Sequence, residues 1–463
     1  MGGDQLEAYK LALDFYNYPG SVQNFISNSN LLNLNLRLFW ASIDFIFVKL
    51  FPSNISLAFC TLLPAFLGWI AFFQTYNYAN TYFLNKYKAL AFSLLVFFGS
   101  CLIVGFNGIS LEAMFFVLFL KRIFLFSKVI KNKYLIYFLI DASIIAFKPY
   151  YAVIPIILNY SEFGFLNKKN YKLYVALFFS FFPWLIIQGL ISPESSTFFL
   201  NAASHTSLTD YFLNLYNFNF SFGMGLLWNF FILIFLISFG ITNKKIFLHK
   251  LVCVVGIELI LAFLPYWHGG LTGNRYFLPV IAIWIPEMLR GFEKLCYVVS
   301  NSKSLQVRAF FTYSLAIFVI LHLPIIEYKN TSVYEYQNST VFKNIPVGVI
   351  EHKNNYFPVN DVLFNPVIFS NRILYHNIFS FESINLLSGA PNTKLSDIYP
   401  NTMFMRTYFV SKNIDNLPYI EKVFPNDLIR NINFVGNLSK LLIMLFYVLV
   451  IFIEIYALNR LHK

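Results

Sequence analysis

A short polar stretch between two apolar runs carries residue types that bind anionic groups. It extends from Trp267 to Pro279 and contains three glycines, His268 and Arg275. Because a guanidinium group is never neutral, Arg275 at a membrane boundary must face water, a carboxylate or an anionic ligand. The glycines let a ligand approach the backbone and leave amide groups able to donate hydrogen bonds. The stretch predicts either an anion-binding site or an interfacial anchor in which Arg275 extends towards water.

The composition indicates which kind of element must position this stretch. The 463 residues are 58% hydrophobic and only 12% charged, which is more apolar than a soluble core requires. The formal net charge of +12 comes from basic residues dispersed in short loops, a pattern that favours membrane orientation over nucleic-acid binding. The four cysteines form no CxxC pair and no Cys/His cluster, so neither a disulfide framework nor a zinc site is predicted.

Apolar runs of about the length that a bilayer requires predict a polytopic membrane protein. Residues 31–51 are apolar but interrupted by three charges, and they predict an amphipathic helix in the membrane interface. Eleven spans are expected, at residues 55–75, 89–105, 109–127, 134–147, 150–161, 172–192, 223–243, 250–266, 275–290, 308–326 and 438–458.

The distribution of basic residues predicts which side of the membrane each loop occupies. Placing the loop at 76–88 in the cytoplasm puts 19 lysine and arginine residues on that side. The short external connections then hold only Lys148 and Arg275, which satisfies the positive-inside rule. The same alternation places residues 1–54 and 327–437 outside, together with the candidate anion site.

The sequence therefore predicts an all-α polytopic membrane protein with about 11 transmembrane helices and a small external mixed segment before the last helix. The amino terminus is expected to be external, and a further span is expected upstream of this sequence. The predicted regions are an external first loop with amphipathic helices at 1–54, a transmembrane core at 55–326, an external soluble segment at 327–437, and a last helix with a cytoplasmic tail at 438–463.

Three short stretches of the chain, in sequence order, resemble motifs of the GT-C superfamily of membrane glycosyltransferases, which take a sugar from a polyprenyl-phosphate carrier. The segment Asp4 to Tyr9 is similar to the Asp-x-x-x-x-Tyr pattern of the family's first external loop. The segment Ala146 to Tyr150 resembles its Thr-Lys-Pro turn, with Phe147 where the family often has threonine. The segment Gly273 to Pro279 resembles its Gly-x-Arg-Tyr-Leu-Leu-Pro stretch.

The resemblance implies a role for each of the candidate site residues. Asp4 becomes the candidate general base for the acceptor hydroxyl, with Glu7 one helical turn away as its alternative or partner. Lys148 and Arg275 are expected to bind the donor phosphate, and His268 is a further candidate donor to it. The competing interpretation makes the two carboxylates the solvated face of an amphipathic helix and the histidine a surface residue.

Two further stretches carry open alternatives. The segment Asn107 to Ala113 resembles the start of a family helix that often bears an acidic residue, here Glu112. We expect Glu112 to interact with the helix dipole, and the alternative is a place in the wall of the site. Residues 193–222 are expected to form an external loop, either a mobile lid over the donor site or simply a long connection.

The resemblance also implies the reaction and its location. We expect inverting transfer of a hexosyl or pentosyl group, without a metal ion or cofactor, from a polyprenyl-phosphate sugar to a glycan, lipid or protein acceptor. The protein would lie in the plasma (inner) membrane with its site on the external, periplasmic side. No nucleic-acid partner is expected. Two other classes stay open, namely a transporter or flippase of lipid-linked sugars and a polysaccharide polymerase or ligase.

Overall fold

The structure is a computed structural model in which most of the described residues are α-helical. It describes residues 8–9, 11–13, 15–16, 34–100, 102, 111–126, 133–163, 168–182, 207–221, 225–263, 275–302, 304–322, 349–352, 355–358, 445, 448–458 and 460. The helical character of the prediction is thus confirmed for this part of the chain.

The chain up to Ser180 contributes seven of the described helices. A 3₁₀ turn, Pro149–Ala152, joins the fifth helix to the sixth. The helices are α1 Leu34–Leu50, α2 Ser53–Phe83, α3 Lys86–Phe98, α4 Glu112–Phe126, α5 Lys133–Ile145, α6 Val153–Phe163 and α7 Lys168–Ser180.

The chain after Ser207 adds seven described helices, a 3₁₀ segment and one hairpin. The 3₁₀ segment is Arg275–Trp284, and it leads directly into the twelfth helix. Strands β1 Val349–His352 and β2 Asn355–Pro358 pair antiparallel. The helices are α8 Leu208–Phe220, α9 Leu226–Asn229, α10 Phe231–Gly240, α11 Lys244–Leu261, α12 Ile285–Ser300, α13 Leu305–His322 and α14 Val448–Leu458.

Helix α3 lies at the centre of the largest apolar core. From Ala91 to Phe98 every side chain on it is buried, which is the behaviour of a helix that is apolar on all sides. Helix α2 packs beside it, and the 3₁₀ segment Arg275–Trp284 lies along α4 in the same core. The segment that carries the candidate anion site is therefore anchored in the interior of the protein.

Two glycines allow α10 and α12 to pack at close range. A Cβ atom at Gly240 would collide with the carbonyl oxygen of Glu287, and one at Gly291 would collide with that of Leu236. Two cations on α12 then cap the end of α10, because Arg290 Nε donates to the Gly240 carbonyl and Lys294 Nζ to that of Phe239. This contact fixes where α12, and hence the 3₁₀ segment before it, meets the rest of the protein.

Some predicted spans differ from the observed helices. The run at 275–290 was expected to be one α-helix, but Pro279 removes an amide donor and the chain keeps 3₁₀ geometry up to Trp284. The run at 223–243 is divided at Phe230, where φ is −129°. The expected loop at 193–222 contains a helix, α8, which is bonded to α11 through Asn214 Nδ2 and the Ala262 carbonyl at 3.0 Å.

One helix of the described part of the chain, α13, is long and apolar enough to cross a membrane by length and composition alone. Three shorter apolar segments, Leu135–Ile145, Phe231–Gly240 and Val448–Leu458, fall below that length. The structure thus does not show the expected number of about eleven spans, which stays a prediction. A helix expected at 31–51 is present as α1, while its expected position in the membrane interface stays a prediction.

Candidate functional site

The turn after α5 presents Lys148 in an extended conformation. Its φ and ψ angles are −142° and 86°, outside the α-helical region that a following proline disfavours. Its amide nitrogen donates to the Ile144 carbonyl at 3.0 Å and so caps the end of α5. Pro149 then starts the 3₁₀ turn, and the Lys148 side chain projects from the junction between two helices.

Lys148 forms an ion pair with Glu112, the first residue of α4. The Nζ and Oε1 atoms are 3.0 Å apart, and the two side chains are 12% and 0% exposed. The position of Glu112 in the first helical turn agrees with the expected interaction with the helix dipole. The pairing with Lys148 was not predicted, and it assigns Glu112 to the wall of the site as well.

The residue before Glu112 adopts a strained backbone conformation. Leu111 has a φ angle of 60°, which is in the left-handed region that a leucine rarely adopts. Such a conformation costs on the order of 1–3 kcal/mol and tends to occur at functional sites. The other described non-glycine residue with positive φ, Leu84, caps the end of α2 and donates to the Asn80 carbonyl, so that it has an ordinary structural role.

The 3₁₀ segment Arg275–Trp284 meets this ion pair through its second residue. Lys148 Nζ lies 4.3 Å from the centroid of the Tyr276 ring, within the range of a cation–π interaction. The Tyr151 hydroxyl donates to the backbone carbonyl of Tyr276 at 2.5 Å. The Lys-Pro turn and the Arg-Tyr segment, which are far apart in the sequence, are thus joined at one point.

Aromatic side chains connect the same turn to α1. Phe147, the residue before Lys148, contacts Phe39 with ring centroids 5.5 Å apart. It also lies 6.4 Å from Phe115 on α4. Phe39 in turn contacts Trp40, which is buried. Phe147 therefore gives the turn an apolar contact with α1.

The structure describes some of the predicted site residues and leaves others outside. Lys148 is described in full and lies beside Glu112 and Tyr276. The backbone of Arg275 begins the 3₁₀ segment, next to Tyr276, while its side chain lies outside the described part. Asp4, Glu7 and His268 lie outside the described residues, so their predicted roles stay predictions.

The arrangement can bind an anion by exchange of partners. The Lys148 ammonium group is nearly dehydrated, and it faces the Glu112 carboxylate and the rings of Tyr276 and Tyr150, whose centroids lie 4.3 Å and 6.0 Å from Nζ. An incoming phosphate group would compete with Glu112 for this cation, and it would do so within one residue of Arg275. A buried ion pair of this kind is weak evidence for stability, because desolvation offsets much of the attraction.

A second buried polar group, centred on Arg122, was missed by the sequence analysis. Arg122 is one of the 19 basic residues that the charge distribution assigned to the cytoplasmic side, but its side chain is only 2% exposed. Its Nε donates to Asp141 Oδ1 at 3.1 Å, one terminal nitrogen donates to Asn159 Oδ1 at 2.6 Å, and its guanidinium carbon lies 4.3 Å from the Tyr137 ring centroid. These contacts tie α4, α5 and α6 together and satisfy the buried charge.

A third group joins α11 to α12. Lys250 and Arg290 also belong to the 19 basic residues assigned to the cytoplasmic side, yet both bind the buried carboxylate of Glu287. The distances are 2.5 Å for Lys250 Nζ to Oε2 and 2.7 Å for an Arg290 terminal nitrogen to Oε1. Both buried groups connect helices that adjoin the Lys148–Tyr276 contact.

The sequence did contain a signal for the Lys148–Glu112 pair. The distribution of basic residues placed the loops near Glu112 and Lys148 on the same external side, and opposite charges at neighbouring helix ends are natural partners. Comparison of the chain with known protein families, with curated proteins and with solved structures gives no match. The residues of the site are therefore the basis on which a function is assigned.

Proposed function

We propose that this protein is an integral membrane glycosyltransferase that moves a sugar from a polyprenyl-phosphate carrier to an acceptor at the external face of the membrane. The observation that carries the proposal is the contact between Lys148 and Tyr276, supported by the hydrogen bond from Tyr151. It brings together two stretches that resemble separate GT-C motifs. In that family the corresponding cations bind the donor phosphate.

The chemistry requires cations for the leaving phosphate and a base for the acceptor hydroxyl. Lys148 supplies a buried ammonium group, and Arg275 is one residue before the tyrosine that contacts it. A guanidinium group binds phosphate oxygens in a bidentate manner, which stabilises the charge that develops as the glycosidic bond breaks. Asp4 is the proposed base, with Glu7 as its partner, because a carboxylate can accept the proton of the acceptor hydroxyl.

The surface of the helices supports a location in the membrane. Helix α2 is 31 residues long and contains no charged residue, a composition that suits an apolar environment. Helix α13 exposes a row of large apolar side chains where a soluble protein would place polar ones. These are Leu305, Val307, Phe310, Tyr313, Ile317, Ile320 and Leu321.

The burial of ionisable groups supports the same location. The charges of Arg122, Asp141 and Glu287 face the interior of the helix assembly and are paired there. In a bilayer, charged side chains are expensive unless they turn inwards and find partners, and this is the arrangement observed.

The proposal is tested by donor cleavage in a reconstituted system. The purified protein in lipid nanodiscs would be incubated with radiolabelled polyprenyl-phosphate sugars, scoring both transfer and hydrolysis. We expect at least one donor to lose its sugar and Lys148→Ala to reduce that rate strongly, while Lys244→Ala, an exposed lysine at the start of α11, leaves it unchanged. Failure to cleave any donor, combined with movement of intact donor across vesicles, would establish a transporter instead.

A further inference from the structure

Helix α1 carries a buried carboxyl group that the proposed reaction does not use. Asp44 is 1% exposed, although it lies in the middle of an amphipathic helix. The Cys60 thiol on α2 donates a hydrogen bond to this carboxyl group, and the Oδ1 atom has no hydrogen-bond partner among the described residues. Burying an acidic group beside so few donors is unfavourable, so its position calls for a functional reason.

The residues that follow Asp4 and Glu7 dock at the same place. Ala8 and Tyr9 are buried, and the Tyr9 hydroxyl shares a hydrogen bond of 3.1 Å with Ser56 Oγ, one turn before Cys60 on α2. Leu11 and Ala12 pack against Ala41, with Phe45 beside them on the same helix. The described residues from 8 to 16, named here the docking segment, are thus held by α1 and α2.

We propose that Asp44 is a positioning residue that holds the docking segment, and with it the acidic residues just upstream, against α1 and α2 only while its carboxyl group is protonated. Tyr9 lies two residues after Glu7 and five after Asp4, so its position limits where the carboxylates of Asp4 and Glu7 can lie. Through Phe39 and Phe147, α1 also contacts the turn that bears Lys148. The functional part of this inference rests on the proposed glycosyl transfer.

The electrostatic surroundings of Asp44 explain the dependence on its proton. The titratable groups that face it are Tyr9 from the docking segment and Cys60 from α2, and no lysine or arginine pairs with it within the described part of the chain. Burial raises the pKa of Asp44 from 3.8 to about 7, against a smaller lowering by the hydrogen bond from Cys60. Burial also raises the pKa of Tyr9, so its hydroxyl stays protonated and keeps its hydrogen bond to Ser56.

The direction of the pH effect follows from these values. When the docking segment lifts away, water reaches Asp44 and its pKa returns towards 3.8, so lifting releases one proton. Docking is fully favoured below about pH 3.8, where Asp44 is protonated in both states. It weakens by up to about tenfold per pH unit as the pH rises to about 7, and it does not weaken further once Asp44 is ionised in both states.

The proposal is tested by measuring how fast a buried cysteine in the docking segment reacts. Leu11→Cys places a thiol at a position that is 1% exposed, and Tyr16→Cys places one at a position that is 52% exposed on the same segment. Each protein is treated with a bulky maleimide between pH 5 and pH 9, and the parent protein gives the background from the four native cysteines. The ratio of the two rates removes the intrinsic pH dependence of thiol reactivity.

We expect the Leu11→Cys to Tyr16→Cys ratio to rise by up to about tenfold per pH unit from pH 5 to pH 7 and then to level off. The same ratio in an Asp44→Asn background should be independent of pH, because the amide keeps the shape and does not titrate. In a Tyr9→Phe background the ratio should be higher at every pH with the same slope, because one hydrogen bond is lost and the titrating group remains.

Two results would overturn the role of Asp44. One is a flat ratio in the protein that retains Asp44, and the other is an unchanged slope in Asp44→Asn, which would assign the proton to a different group. The labelling needs no donor, so it separates this inference from the proposed function. A pH-dependent ratio without donor cleavage would exclude only the proposed glycosyl transfer. Donor cleavage with a flat ratio would exclude only the positioning role of Asp44.

Discussion

The hydroxyl group of Tyr151 donates a hydrogen bond to the backbone carbonyl of Tyr276 at 2.5 Å, across 125 residues of sequence. Tyr151 belongs to the 3₁₀ turn that follows Lys148, and Tyr276 follows Arg275. The bond therefore sets the distance between the two stretches that hold the candidate phosphate-binding cations. Because Tyr151 is fully buried against Phe115 and Phe119, the bond joins rigid parts of the core rather than two surface loops.

The Lys148–Glu112 pair predicts different effects for single and double substitutions. Lys148→Met leaves the Glu112 carboxylate buried without its cation, and this should cost about 3–5 kcal/mol of unfolding free energy. The double variant Lys148→Met/Glu112→Gln should recover most of that loss, because neither buried charge remains. Thermal and denaturant unfolding in detergent measure the stability of the single and the double variant. Equal stability of the single and double variants would contradict the ion pair. Donor binding should be weak in both variants, because both lack the Lys148 ammonium group.

Arg275 is expected to contribute to donor affinity through its fork of hydrogen-bond donors. Arg275→Ala should weaken donor binding strongly, and Arg275→Lys should recover only part of it, since an ammonium group lacks the bidentate geometry. Binding of a fluorescent polyprenyl-phosphate sugar to purified protein provides the measurement. Equal affinity in the three proteins would show that Arg275 is an interfacial anchor.

The predicted topology is tested by labelling cysteines in intact cells. Single cysteines at Ser204 and Ser339 should react with an impermeant maleimide from outside, because both lie in predicted external regions. A cysteine at Asn243 should react only after the cells are opened. Asn243 caps α11 with its side chain, so Lys244→Cys, next to it and exposed, is the matched position that preserves the cap. External labelling at 243 or 244 would reverse the assignment of every loop.

The relation between sequence and structure differs between the elements and the site. The apolar runs and the charge pattern were sufficient to predict α1, α4 and α5 within a few residues, because helix formation depends on local composition. They could not distinguish a loop charge from a buried one. Arg122 stands only one turn before the end of α4, and its burial depends on Asp141 and Asn159, which other helices bring to it.

The 3₁₀ segment shows the same limit at the site itself. The apolar pattern from 275 to 290 predicts a helix, but it does not reveal that Pro279 changes the helix type or that Tyr276 will meet Lys148. Contacts between distant residues depend on how whole helices pack. The resemblance to GT-C motifs was the signal that related the two stretches, and the Tyr151–Tyr276 bond is the physical contact that joins them.

The last prediction concerns the proposed general base. Asp4→Asn preserves the size and the hydrogen-bonding capacity of the side chain but cannot accept a proton at neutral pH, so turnover should fall by about a hundredfold or more. Donor binding should be retained, because the amide introduces no repulsion towards phosphate. Glu7→Gln is the matched control and should have a milder effect if Glu7 only flanks the site. The measurements are steady-state turnover and donor affinity for the parent protein and both variants. Full turnover in Asp4→Asn would exclude Asp4 as the base and direct attention to Glu7 and Glu112.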